Sequence, residues 1–492
     1  MVHKKYIFLL AVVLTAGCSQ LDLVPVSSKS VEGFYKTETH FDQAAIALYN
    51  GLRSVWVTSQ QSYMLTEARS DNTFQGTAYD DGPISRFQET SILPVLNSAW
   101  SVYYTNINRC NRILEQIDNI EMSADKRSQY AGEARFARAV LYFDLVRFFG
   151  GVPLVTTSLS ISESQTVPRA SVEQVYDLIV SDLKEASNML PAAYDNASKG
   201  RATKWAAKGY LGKAYVFRSG YPLKKDEWGL ARDTFKELID SGQFEFFDRY
   251  EDVYRFEKEG GRQQVFSIQF KAGVSGHGNP FPTRNASNDI APVTEAQGGL
   301  SFGGSPFNLF LSEDLVNSFE EGDLRKAVAI RSSWLHKSGE TITTLPTCRK
   351  YQNGPVVAAN DWDIDWIALS YTDVLMMYAE TLNELGYSPD GEAFRILNQV
   401  RERAGLAPKT VADVPDQQAY RLWMESERRH ELCFENLRWF DLVRTDRALD
   451  VMKAFLGKYG MSANIRNRDQ YLYPIPQPVR DVTPHIEQNP GY

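Results

Sequence analysis

The chain has 492 residues and a net charge of -8, with 53 Lys and Arg against 61 Asp and Glu. That length admits one large domain or two fused ones, and an acidic balance without a basic block argues against nucleic acid as a partner. The four cysteines show no paired spacing and the six histidines no ligand grouping, which argues against a disulfide framework and against zinc.

Residues 1–17 read as a cleaved export signal. Lys4 and Lys5 supply the charged start, Ile7 to Leu14 form an apolar stretch too short to span a bilayer, and Ala16 and Gly17 precede Cys18. This ending resembles a lipobox, which implies that the mature chain begins at Cys18 and that this cysteine is lipidated. Two or more acyl chains hold stably, at about 0.8 kcal/mol per buried methylene. Residues 18–38, polar and containing Pro25, Ser27, Ser28 and Ser30, read as a tether between lipid and body. No later run is apolar enough to cross a membrane.

Helical periodicity dominates the remainder. Runs are predicted at Phe41 to Val57, Ser98 to Ile120 and Lys126 to Phe149, the third apolar almost all round and so buried on several sides. Ser171 caps a helix that Pro191 stops. Thr203 to Ser219 with Glu227 to Ser241, and Ser370 to Leu385 with Gly391 to Ala404, form two pairs that look like tetratricopeptide units. The long separation between them predicts an interrupted solenoid. The interruption, about 243–365, holds one alternating stretch at Gln264 to Lys271 and a Gly-, Pro- and Asn-rich region without periodicity. A second irregular stretch covers 71–96. Long loops in a compact domain are usually functional, and the two are expected to converge.

The densest pattern is ERRHELCFENLRWFDLVR, Glu427 to Arg444. On one helix, Arg428 and Glu431, Glu435 and Arg438, and Arg438 and Asp441 would ladder along one side. So many carboxylates raise the question of acid and base chemistry, but an Arg beside each acid favours an ion-pair role. The segment resembles the ER-x-x-EL-x-FE-G-x-RW-x-DL-x-R signature of the SusD/RagB family. Further landmarks fall in the family's order: Phe149 to Leu154, Asp373 to Glu380, Leu397 to Gly405 and the ending Gln488 to Tyr492. Two departures stand out: Asn436 replaces a Gly, and Ser370 replaces an Arg.

The resemblance implies a mainly α fold. About four tetratricopeptide-like helix pairs scaffold an irregular ligand-binding region with a few short strands, all within 39–492. It also implies a non-catalytic lipoprotein of the outer membrane's exterior face. Such a protein captures oligosaccharides, or peptides and glycopeptides, as a lid over a SusC-like TonB-dependent transporter. A membrane-anchored glycan hydrolase is the competing reading, although no hydrolase motif is present.

Sugar capture needs flat aromatic faces beside planar polar groups, and no cofactor. Candidates are Asp71, Asn72, Tyr79, Asp81 and Arg86 in the first loop, and Phe281, Arg284, Asn288 and Phe302 in the second, with Trp334 and Trp362 beyond. Asn and Asp also serve as turn formers, and Trp as core. Asp361, Asp363 and Asp365 match the start of an EF-hand loop, but Trp366 and Thr372 stand where Gly and Glu are required, so no metal site is assigned. Substituting Cys18→Ala is expected to abolish acyl labelling and to release the protein from the membrane fraction. Retained labelling would refute the lipobox.

Overall fold

Helix α1, Glu38–Arg53, starts where the Thr37 hydroxyl accepts the His40 N–H at 3.3 Å, satisfying a donor the helix itself leaves open. The computed structural model to which it belongs describes residues 31–58, 61–74, 81–285, 310–335 and 340–492. The apolar face of α1, including Phe41, Ala45, Leu48 and Leu52, packs on α2 (Pro94–Gln116) and α3 (Ala124–Phe149). Proline at the start of α2 costs no hydrogen bond, which lets that helix begin ahead of the expected Ser98.

As its all-round apolar pattern predicts, α3 is buried along nearly its whole length. Most of its internal polar groups are therefore partnered, the Arg135 Nε being an exception. Arg138 donates from Nε and Nη2 to both Asp182 oxygens at 2.8 Å, fastening α3 to α4 (Val172–Met189). Asp144 accepts from the Trp56 indole at 2.6 Å and the Tyr103 hydroxyl at 2.7 Å. Ser171 and Gln174 form a reciprocal capping box at the start of α4.

Next come α5 (Lys204–Ser219), capped by Thr203, and α6 (Trp228–Asp240). A Cβ on Gly212 would lie 2.5 Å from the Phe235 ring, so glycine there sets how closely α5 and α6 approach. The scaffold is completed by α7 (Tyr371–Leu385) and α8 (Glu392–Arg403). Each helix packs on the next from α1 through α8, α6 directly on α7. The expected interruption of the solenoid is thus corrected: the helix row is continuous in space, and the insertion between α6 and α7 is looped out from it. The two ends of the insertion meet because strand Gln264–Ile268 pairs antiparallel with strand Trp366–Ser370. Ser370 then caps α7, accepting from the Asp373 N–H at 3.1 Å, which gives that departure from the family pattern a local role. The remaining strands form two small antiparallel pairs, Ile330–Leu335 with Thr341–Cys348 and Val356–Ala358 with Asp361–Trp362.

The Glu427 to Arg444 segment is not one helix. Helix α9 (Gln417–Glu431) stops and α10 (Arg438–Arg444) restarts, with Phe434 and Asn436 between them at φ 67° and 63°. The expected charge ladder is accordingly replaced by long-range pairs. Arg428 reaches Asp373 at 2.7 Å and Asp441 at 2.9 Å, while Arg438 grips both oxygens of Asp71 at 2.8 and 2.9 Å. Glu435 accepts from Lys350 at 2.8 Å, and Glu427 from Arg325 at 2.9 Å and Arg401 at 2.6 Å. All of these groups are buried. Cys433 sits in the break rather than in a helix, and Cys110, Cys348 and Cys433 are all buried and free.

Removing one partner of such a pair strands a buried charge, so Arg438→Ala should lose about 3–5 kcal/mol of stability in urea unfolding. Arg438→Lys should recover little of it, because an ammonium cannot reproduce the two-point grip. A loss below about 1 kcal/mol would contradict the buried-pair account.

Candidate ligand-binding site

The two irregular stretches meet as expected. Thr73 bridges Leu311, the Phe74 N–H donates to the Phe310 carbonyl at 3.0 Å, and the Ser312 N–H donates to the Asn72 carbonyl at 2.9 Å. The shared stem is held from beneath by charge. Burial alone would raise the pKa of Asp71, but the guanidiniums of Arg438 and Arg429 hold it well below the usual carboxylate range. Asn72 is also buried, donating to Glu67 at 3.1 Å and accepting from Arg429 at 3.0 Å. Asp71 and Asn72, both candidates for ligand contact, therefore face the interior and fix the stem. Beside it, Phe74 stacks on Tyr459 with centroids 3.7 Å apart and planes 8° from parallel.

A cavity of about 500 Å³ opens where α1 meets the insertion, lined by Asn50 and Arg53 from α1, by Ser54 just past its end, and by Arg284, Asn360 and Asp361 opposite. Its far wall is built on buried aromatics. Phe281 packs edge-on against Tyr63, Tyr351 and Trp366. The Trp362 indole N–H donates to the Thr283 hydroxyl at 2.9 Å, and that hydroxyl also receives the Asn360 N–H at 3.3 Å. Phe281 and Trp362, proposed as stacking faces, are thus core residues that aim Arg284 and Asn360. A Cβ on Gly278 would fall 1.9 Å from the Asp361 carboxylate, so only glycine allows that approach. Burial pushes Arg53 and Arg284 below the ordinary guanidinium value, yet arginine stays charged, and the cavity keeps two desolvated cations.

Arg284 is the sequence candidate found lining this cavity. Arg86 is half-buried in the first loop, and its carbonyl accepts from Asn464 at 2.8 Å. Asp81 begins a short helix, Asp81–Ser85, and Trp334 stands in a strand, but the side chains of both lie outside the described set, as do residues Tyr79, Asn288 and Phe302 altogether. Sequence reasoning missed Asn50 and Arg53. The signal was available: both lie off the Phe41, Leu48 and Leu52 face of α1.

The three aspartates of the rejected calcium loop are already engaged, Asp361 by the Gly273 N–H, Asp363 by Lys271 and Asp365 by the Phe270 N–H. Among the described residues no acidic, His or Cys group is arranged to hold a metal. Another cavity, about 340 Å³ between the α5–α6 corner, α7, α9 and α10, has its charged lining spent in pairs such as Arg421 with Glu384 and Arg444 with Glu380.

Comparison with known proteins agrees with this architecture. Residues 332–492 match a family model described as SusD family, and residues 21–216 one described as starch-binding associating with outer membrane. SusD-like protein P2 of Formosa agariphila is 26% identical, over 99% of this chain and 100% of that one. A SusD homolog from Bacteroides thetaiotaomicron superposes with a TM-score of 0.80 at 24% identity, covering 94% of this chain and 98% of that one. The chain belongs to the SusD/RagB family. A laminarin binding SusD-like protein shares the fold, with a TM-score of 0.77 at 23% identity over 93% of this chain and 100% of that one. The SusD/RagB glycine replaced by Asn436 sits at φ 63°, a conformation that asparagine tolerates better than most residues. The Asn436 side chain accepts from Thr66 at 3.1 Å, and its N–H donates to Glu67 at 3.1 Å.

Glu67 links the SusD/RagB signature to the loop stem and carries a pH signature. Burial pushes its pKa up to about 7, although hydrogen bonds from Asn72 and Asn436 oppose the rise. A carboxyl raised in the folded state stabilises most below its unfolded pKa, about 4.3, and that contribution fades as pH climbs through 7. Thermal stability should therefore decline between pH 5 and pH 8, with a shallower decline in Glu67→Gln. Equal slopes would remove Glu67 as the cause.

Proposed function

We propose that the protein is a non-catalytic, lipid-anchored binding protein of the outer membrane's exterior face. It captures oligosaccharides and passes them to a SusC-like TonB-dependent transporter. The observation that carries this reading is the polar cavity between α1 and the insertion, where Asn360, Arg284 and the Arg53 guanidinium, which also donates to Asn50, bring polar groups suited to sugar hydroxyls into one wall. The laminarin-binding relative and the starch-binding family description support the same ligand class.

Absence of turnover is supported by the lining. Glycoside hydrolysis needs two facing carboxylates, and the cavity's one described carboxylate, Asp361, is held by the Gly273 N–H at 3.0 Å. Lipidation at Cys18 would hold the protein at the membrane; the expected tether, 18–38, is cut short by the described body, which already begins at the short helix Val31–Phe34, with the Phe34 ring stacked on His40 and Tyr35 against Phe41.

Titration calorimetry against a glycan panel tests the proposal. We expect binding without product, weakened about tenfold by Arg284→Ala, or about 1.4 kcal/mol for a lost charged hydrogen bond. Product released by the protein, or wild-type affinity in Arg284→Ala with an unchanged melting curve, would count against it.

A further inference from the structure

The cavity at Arg284 adjoins two others. Asn50 and Arg53 also line a second cavity of about 290 Å³, which continues past Tyr49 to Gln269 and His277. The second shares Lys199, Gly200, Arg201, Ser267 and Gln269 with a third, of about 420 Å³. The second and third therefore adjoin along the strand Gln264–Ile268 and Gln269, and the first adjoins the second at Asn50 and Arg53. From Gln264 to Gln269 alone, at about 3.3 Å per residue, the run is roughly 17 Å, more than a single sugar ring occupies.

The third cavity has the composition that saccharides require. Tyr194, Trp205 and Phe244 contribute aromatic surface, and Asn196, Gln243 and Gln269 contribute carboxamides. Among the described residues those three side-chain amides make no hydrogen bond within the protein. A carboxamide both donates and accepts, which matches neighbouring sugar hydroxyls and favours neither a cation nor an anion. Of the four charged side chains in its wall, Arg201 is committed to Glu133 and Asp42, Arg262 to Glu245 and Asp195 to the Ser198 N–H, which leaves the Lys199 ammonium as a further donor. One side of the Trp205 indole carries the Lys204 ammonium, 4.3 Å from the ring centroid. Lys204 is not in the cavity wall while Trp205 is, so the cavity meets a part of the ring that Lys204 leaves open. The saddle between the second and third cavities is kept low by Gly200, at φ +95°, where a Cβ would collide with the Gln269 amide at 2.3 Å.

We propose that the third cavity is an aromatic saccharide subsite, and that one extended oligosaccharide lies across all three cavities, from Arg284 to Trp205. This rests on the oligosaccharide reading above and deepens it from a sugar site to a chain-length-selective groove.

The test is calorimetry on the full mature chain with size ladders, disaccharide to decasaccharide, of starch-, laminarin- and other plant- or algal-derived oligosaccharides. The longest members of a bound ladder should bind at least tenfold more tightly than the shortest. Trp205→Ala and Gln269→Ala should each erase that gain, so that long and short members bind alike, and Trp205→Phe should restore part of it. Gln269 is exposed and unbonded, so its substitution reports on the groove without threatening the fold. Length-independent affinity, or a gain that survives both alanine substitutions, would overturn the extended groove while leaving capture intact. Failure of every ladder to bind would instead overturn the capture reading itself, and the groove with it.

Discussion

Burial of charge around the break between α9 and α10 is the constraint on which the rest of the structure depends. Arg428, Arg438 and Arg444 leave a short segment in different directions and end on carboxylates from the loop stem and from α7, with Asp441 shared between two of them. Desolvating each ion is expensive, and the expense is offset only where geometry and additional hydrogen bonds are good. Lys213 from α5 adds a second contact to Asp373, so the scaffold pairs on either side of the insertion are tied to the same carboxylate. Displacing any member leaves a buried charge without its counterpart, which makes the relative placement of these elements strongly specified.

That arrangement connects scaffold to site. Arg438 and Arg429 hold Asp71, and Asp71 lies beside the residues that pair with the far end of the insertion at Leu311 and Ser312. The helix row supplies a rigid back, with α6 packed on α7 as though no insertion intervened. The insertion is therefore free to carry cavities in place of core. Its own aromatic residues, Phe281, Trp362 and Trp366, serve as a small satellite core that fixes the wall holding Arg284 and Asn360.

Legibility in the sequence followed the range of the interactions involved. Helices α1 to α8 were readable because periodicity, caps and stops are local: Ser171, Thr203 and Ser370 mark their helix starts directly. The break at Phe434 to Leu437 was not, since opposite charges at helical spacing mimic a ladder until their true partners, far away in sequence, are known. Among the candidate ligand contacts, Asp71 and Asn72 were judged by loop composition, which cannot distinguish a polar group facing solvent from one neutralised by Arg438 or Arg429. Phe281 and Trp362 failed for the complementary reason, that an aromatic residue suits a core as well as it suits a sugar ring.

The sequence by itself determined the family, the helical class, the position of the insertion and the residues of the signature, because each is carried by local spacing and residue type. Only the tertiary structure decided which polar groups are spent on one another and which remain available. Asn50 is spent on Arg53 within α1, whereas the Asn360 side chain stands in the wall of one cavity and Gln243 and Gln269 join Trp205 at another. Hydrogen-bonding capacity is left over only where the fold places no partner within reach, and no stretch of sequence records that distance.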